Sequence, residues 1–185
     1  IREKIAFHPK QRPVIKTGLP GWLKVAAIVV VALTAGFFAD RIIQPGHHTQ
    51  VRLNEIIVPK GEKARVILSD GSQVYLNAGS HLTYPAIFSK ESRRVNLSGE
   101  AFFEVKKDGL SPFVIGTPAF EVKVTGTSFN LQAYQEDQVN ELTLHSGTVT
   151  ITKDGQDYQI KPGQKYVFDM ETQQSDIVAA DLEKS

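Results

Sequence analysis

Between residues 51 and 170 the chain consists of short runs that alternate apolar and polar residues, separated by glycines mostly 7–10 residues apart. The runs are rich in Val, Ile, Thr, Tyr and Phe, which are residues that favour strands. The glycines that set this spacing are those at positions 71, 79, 99, 109, 116, 126, 147, 155 and 163. Short strands with turn signals at this spacing predict an all-β fold, here an antiparallel β-sandwich or roll.

The alternation and the turn dipeptides predict the individual strands. Asp70-Gly71 is typical of hairpins, so two strands are expected around it in ARVILSDGSQVYLNAGSHLTYP. The segment RRVNLSGEAFFEV predicts two strands joined by a turn at Ser98-Gly99. Three strands are expected in PFVIGTPAFEVKVTGTSFNLQAY and four in VNELTLHSGTVTITKDGQDYQIKPGQKYVFD. The predicted core includes Leu97, Phe103, Val124 and Phe129.

A different pattern precedes this region, where LPGWLKVAAIVVVALTAGFFADR has no charged residue from Val25 to Ala39. Extended back to Leu19, the stretch has 21 residues and one charge, Lys24, so a helix here is long enough to cross a hydrocarbon core. A buried core helix is disfavoured because no amphipathic partner helix lies nearby. A cleaved signal peptide is disfavoured because about two dozen residues precede the apolar run. We therefore predict a transmembrane helix at 21–39.

The flanking charges predict the orientation of that helix. Lysine or arginine occupies positions 2, 4, 10, 12, 16 and 24 on its N-terminal side, but only Arg41 lies close behind it. Because positive flanks stay in the cytoplasm, the N-terminus is predicted to be cytoplasmic and the β domain to lie outside the cytoplasm. The predicted organisation is a basic linker at 1–20, the helix at 21–39, a stem at 40–58, the all-β domain at 59–170 and the start of a further segment at 171–185.

Candidates for catalysis and metal binding are few. The absence of cysteine excludes disulfides, thiol nucleophiles and thiolate metal sites. Glu100 and Glu104 share one strand face, but their spacing along it is about 13 Å. Glycosidase carboxylates lie only about 5–9.5 Å apart. His47 and His48 point opposite ways on a strand and have no third ligand nearby in sequence, so no metal site is predicted.

Other polar motifs are equally weak. Nothing in the sequence places His81 or His145 beside a serine, and no nucleophile elbow or glycine-rich phosphate loop is present. Asn96-Leu97-Ser98 matches the glycosylation sequon, a three-residue pattern that recurs by chance. The net charge of +1 argues against direct binding to nucleic acid. We therefore predict a protein that is not an enzyme and that needs no cofactor.

Four blocks of the sequence resemble, in order and spacing, the FecR domain of transmembrane anti-sigma factors. They are RVILSDGSQVYLNAGSHLTYPAIFS, RRVNLSGEAFFEV, PFVIGTPAFEVKVTGTSFNLQAY and LHSGTVTI followed by IKPGQKYVFD, and they cover residues 60–170. The upstream basic segment and apolar helix also fit this family. The resemblance implies that IREKIA is the end of a cytoplasmic helical domain that holds an extracytoplasmic-function sigma factor.

The resemblance further implies a role in signal transduction and transcription regulation. Such proteins lie in the inner membrane, with the β domain in the periplasm facing the signalling domain of an outer-membrane TonB-dependent receptor. The expected function is to relay the state of that receptor to the sigma factor. The family has no catalytic residues to transfer, and its partner-contacting residues are not predicted here.

One alternative of another class stays open, a membrane-tethered periplasmic module that binds carbohydrate. All-β modules of this size often use a sheet face for such binding, and exposed aromatic rings supply the stacking surface. The candidate rings are Tyr75, Tyr84, Phe102, Tyr134 and Tyr158. Most of them are explained more simply as core or strand-pair residues.

Overall fold

The computed structural model of the protein describes residues 52–180 together with residues 22, 26, 28–30, 33 and 34. The chain divides into two compact units, Ile1–Thr49 and Gln50–Ser185. In the first unit the described residues are helical and exposed. Within the part of the chain that is described, no helical stretch combines the length and the hydropathy of a bilayer-crossing helix. Most of the predicted helix at 21–39, the linker at 1–20 and the pair His47 and His48 lie outside the described residues.

The second unit is all-β, as the glycine spacing predicts, and its described residues form thirteen strands. They are β1 (Leu53–Ile57), β2 (Ala64–Ile67), β3 (Gln73–Leu76), β4 (His81–Pro85), β5 (Arg93–Glu104), β6 (Phe113–Gly116), β7 (Glu121–Val124), β8 (Ser128–Ala133), β9 (Val139–Ser146), β10 (Val149–Lys153), β11 (Gln156–Ile160), β12 (Gln164–Asp169) and β13 (Ser175–Ala179). Strands β1 and β13 lie outside the predicted domain bounds of 59–170.

The strands form two half-sheets that share β5. The first half-sheet has the order β1-β4-β5-β6-β7-β10-β11. The second has the order β2-β3-β5-β8-β9-β12-β13. All these pairs are antiparallel except β5 with β6, which run parallel, so the prediction of a purely antiparallel sheet is wrong at this pair. The connection between β5 and β6 passes from one end of β5 back to the other, which is what makes their pairing parallel.

The predicted turn at Ser98-Gly99 is wrong, because β5 runs without interruption from Arg93 to Glu104. Its first half pairs with β4 and β6, and its second half pairs with β3 and β8. Gly99 lies at the change of partners with φ of +123°, and a Cβ there would come within 2.5 Å of the Cα of Ser80. Gly99 therefore lets β5 pass from one half-sheet to the other at a position where a side chain would not fit.

The two half-sheets enclose one apolar core. Phe103 is fully buried, stacks on Phe129 with ring centroids 5.1 Å apart, and meets Phe113 edge-on at 6.3 Å. Phe120 lies edge-on against Tyr166 at 5.2 Å and so joins the first half-sheet to β12 of the second. The predicted core residues are all confirmed as buried: Leu97, Phe103, Val124 and Phe129.

A buried ion pair fixes the start of β5. The Nη1 atom of Arg93 donates to Asp70 at 2.7 Å and to the Lys106 carbonyl at 2.9 Å, and its Nε donates to the Ser111 carbonyl at 2.9 Å. Only 4% of the Arg93 side chain and 14% of the Asp70 side chain are exposed. Burial by itself would raise the pKa of Asp70, but hydrogen bonds from Ser72 and Arg93 outweigh it, and the pKa lies below its ordinary value.

Candidate functional site

An open groove of about 330 Å³ lies on the outer face of the second half-sheet, beside the edge strand β2. We call it the aromatic groove. Its functional side chains come from four neighbouring strands and the turn after β3, and they are Arg65, Tyr75, Asn77, Glu100, Phe102 and Asn130. The alternation of β5 directs Glu100 and Phe102 outward, because the neighbouring Ala101 and Phe103 are buried in the core.

One row across the groove is aromatic. The register places Arg65 opposite Tyr75, Tyr75 opposite Phe102, and Phe102 opposite Asn130. The guanidinium of Arg65 lies 5.4 Å from the centre of the Tyr75 ring, and the Tyr75 and Phe102 rings lie 6.3 Å apart. Phe102 also meets His145 edge-on at 5.4 Å. The row therefore presents one exposed ring, Tyr75, beside one partly buried ring, Phe102.

The adjoining row is polar and centres on Glu100. The side-chain amide of Asn77 donates to Glu100 Oε2 at 2.6 Å, and that of Asn130 donates to Glu100 Oε1 at 3.1 Å. Both carboxylate oxygens are thus held by amides from β8 and from the turn after β3, and each retains a further lone pair. The arrangement orients an acceptor group toward the groove beside the aromatic row.

Glu100 and Glu104 share the outer face of β5, as the alternation predicts, but they have separate partners. Glu100 belongs to the amide cluster, whereas Glu104 accepts a 3.4 Å hydrogen bond from the Tyr75 hydroxyl. No hydrogen bond links the two carboxylates within the described residues. Their positions four residues apart on one continuous strand keep them too far apart to act together on one bond.

A second groove, of about 270 Å³, lies on the outer face of the first half-sheet and contains His81, Asn96 and Ser98. His81 faces Ser98 across the β4–β5 pair, a neighbourhood that the sequence did not predict. However, the Nε2 atom of His81 lies 2.6 Å from Glu55 Oε1, and no hydrogen bond from His81 to Ser98 is present among the described residues. A charge-relay arrangement is therefore not assembled in this groove.

The predicted carbohydrate-stacking set is divided by the fold. Tyr75 and Phe102 are neighbours, but Tyr84 lies on β4 in the first half-sheet and Tyr158 packs against Tyr166 at 5.4 Å. The hydroxyl of Tyr134 donates to the Ala78 carbonyl at 2.8 Å. The polar partners of the Tyr75–Phe102 pair, Asn77 and Asn130, were not predicted because strand pairing, not sequence distance, brings them there.

Metal-ligating side chains do not converge in the part of the chain that the structure describes. No group of three or more His, Asp or Glu residues there could hold a metal ion. The two open grooves described above lie on the outer faces of the two half-sheets.

The comparison with known families identifies this domain. Residues 54–150 match the family described as FecR protein. The chain belongs to that family. No curated protein matches the sequence significantly.

Two solved structures are similar to this chain, and both are of a candidate anti-sigma factor from Parabacteroides distasonis. Each is 35% identical in sequence, with TM-scores of 0.70 and 0.69. The similar regions cover 72% and 71% of this chain and 62% of each solved chain. The present chain therefore matches less than two thirds of the length of these structures.

Proposed function

We propose that this protein is an anti-sigma factor and that it has a regulatory role, not an enzymatic one. The observation that carries the proposal is the FecR match over residues 54–150, together with the 35% identity to candidate anti-sigma factors over most of the described domain. The second groove agrees with it, since His81 bonds Glu55 and no hydrogen bond from His81 to Ser98 is present among the described residues.

The proposed signalling route runs through the inner membrane. The β domain lies in the periplasm and receives the state of an outer-membrane TonB-dependent receptor, and the apolar stretch at 21–39 crosses the bilayer once. The sigma factor of the extracytoplasmic-function class binds on the cytoplasmic side. The uneven distribution of lysine and arginine around the apolar stretch supports this orientation.

Transcript profiling tests the regulatory role. In the source bacterium, deletion of the gene is expected to change one group of transcripts that share a promoter and depend on one extracytoplasmic-function sigma factor. That sigma factor is expected to co-purify with the tagged protein after cross-linking. Unchanged sigma-dependent transcription, with no sigma factor captured, would refute the proposal.

Reporter fusions test the orientation independently. Alkaline phosphatase, which is active only outside the cytoplasm, is expected to be active when fused after Gln50. The matched control is the same fusion after Lys16, before the apolar stretch, which is expected to be inactive. Equal activity at both positions, or the reverse pattern, would contradict the proposed topology without affecting the role in transcription.

A further inference from the structure

We propose that the aromatic groove binds a neutral oligosaccharide. This binding function is separate from the proposed signal relay and does not depend on it. Its shape suits a small ligand, because the volume of about 330 Å³ falls within the range of small-molecule sites. From Arg65 to Asn130 the row spans three strand spacings, or about 14 Å, which accommodates a short chain of sugar rings lying across the strands.

The two rows of the groove match the two kinds of surface on a sugar. The C–H face of a pyranose is attracted to the electron-rich face of an aromatic ring, and Tyr75 and Phe102 offer such rings side by side. The hydroxyl edge needs paired donors and acceptors. Glu100, Asn77 and Asn130 supply both within hydrogen-bonding distance of one another.

The strands under the centre of the groove, β3 and β5, are paired on both sides, which disfavours a peptide added there as a strand. β3 is paired on both sides by β2 and β5, and β5 is paired there by β3 and β8. A ligand over this face therefore meets side chains alone. Peptide recognition by strand addition needs a free sheet edge, which the outer side of β2 offers at the margin of the groove and the floor of the groove does not.

The charges around the groove balance, which favours an uncharged ligand. Lys63, Arg65 and Glu100 line the groove, and Glu104 adjoins it through its hydrogen bond from the Tyr75 hydroxyl. An acidic or basic ligand gains little net attraction from such a set. The polar side chains are also held before binding, since Glu100 has two amide donors and the Tyr75 hydroxyl bonds Gln73 at 2.9 Å. Binding then costs little additional side-chain order.

The test uses the full chain, purified in a detergent that carries no sugar. It is titrated by calorimetry and by saturation-transfer NMR with hexasaccharides of the cello-, malto-, xylo-, manno- and laminari- series. At least one is expected to bind. Phe102→Leu, which keeps apolar volume but removes the ring face, and Asn130→Ala are each expected to weaken binding about tenfold.

The matched control is Tyr158→Leu, which removes a half-buried ring in the first half-sheet and leaves the groove intact. It is expected to bind like the parent chain, and melting temperatures of all variants identify any that fail to fold. Binding by none of the five series would overturn the proposal. So would binding that Phe102→Leu and Asn130→Ala leave unchanged. A photoreactive residue at position 75 that cross-links to a periplasmic protein in cells would show a protein ligand in the groove and would also overturn it.

Discussion

Replacing Arg93 with methionine is expected to destabilise the β domain strongly. The substitution removes three hydrogen bonds, to Asp70, Lys106 and Ser111, and takes the cationic partner from an Asp70 side chain that is only 14% exposed in the parent structure. Breaking a buried ion pair in this way costs about 3–5 kcal/mol, because the remaining charge stays desolvated. That loss is a large part of a typical domain stability of about 5–15 kcal/mol. The melting temperature is expected to fall by about 10–20 °C.

Calorimetry on the full chain measures this effect, with Asp70→Asn and the double variant completing a cycle. Because the two side chains bond directly, the double variant is expected to lose less stability than the sum of the single variants, by about 0.5–3 kcal/mol. Additive losses would refute the energetic coupling. An Arg93→Met chain as stable as the parent would refute the importance of the ion pair altogether.

Three further predictions concern Asp70, the glycine at the centre of β5 and the aromatic core. The pKa of Asp70 in the folded state is below its ordinary value, so the stabilisation by the Asp70 carboxylate is complete above about pH 4 and is lost as the pH falls through the folded pKa. Asp70→Asn is therefore expected to make the melting temperature depend less on pH on the acid side. Gly99→Ala is expected to unfold the domain, whereas Gly116→Ala is expected to have a milder effect. Of these two glycines only Gly99 has a positive φ, and the obstacle to a side chain at Gly116 is the rotatable Asn96 side chain. Circular dichroism distinguishes the two variants, and equal effects would contradict the account of β5. Phe103→Ala is expected to cost about 3–5 kcal/mol in urea unfolding, and a loss below about 1 kcal/mol would contradict its central place in the core.

Local patterns predicted most of the strands but not how β5 is used. Period-two alternation placed Phe103 in the core and Glu100 on the surface correctly, since neighbouring side chains on a strand point to opposite faces. The same segment contains Ser-Gly, a common turn signal, and this led to two short strands where one long strand exists. Whether the segment forms one strand or two depends on Ser80, which lies against Gly99 and is nearly twenty residues away in sequence.

The aromatic groove could not be predicted from local sequence patterns either, because distant strands form it. Tyr75, Phe102 and Asn130 meet because β3, β5 and β8 are neighbours, and the sequence alone does not state that order. The aromatic residues were correctly singled out as candidates, but only two of the five share a surface. Arg93 was not singled out from the sequence, since no residue near it in the chain indicates Asp70 as its partner.

The use of one strand by both half-sheets determines how the domain responds to force. β1, next to the N-terminal segment, is an outer strand of the first half-sheet, and β13, next to the C-terminal tail, is an outer strand of the second. A pull on either end therefore loads a five-residue outer strand, whose bonds to its neighbour break one after another, as in unzipping. β5 is protected by partners on both sides along most of its length. Under tension, β1 and β13 are thus expected to detach first, while β5 and its neighbours stay paired.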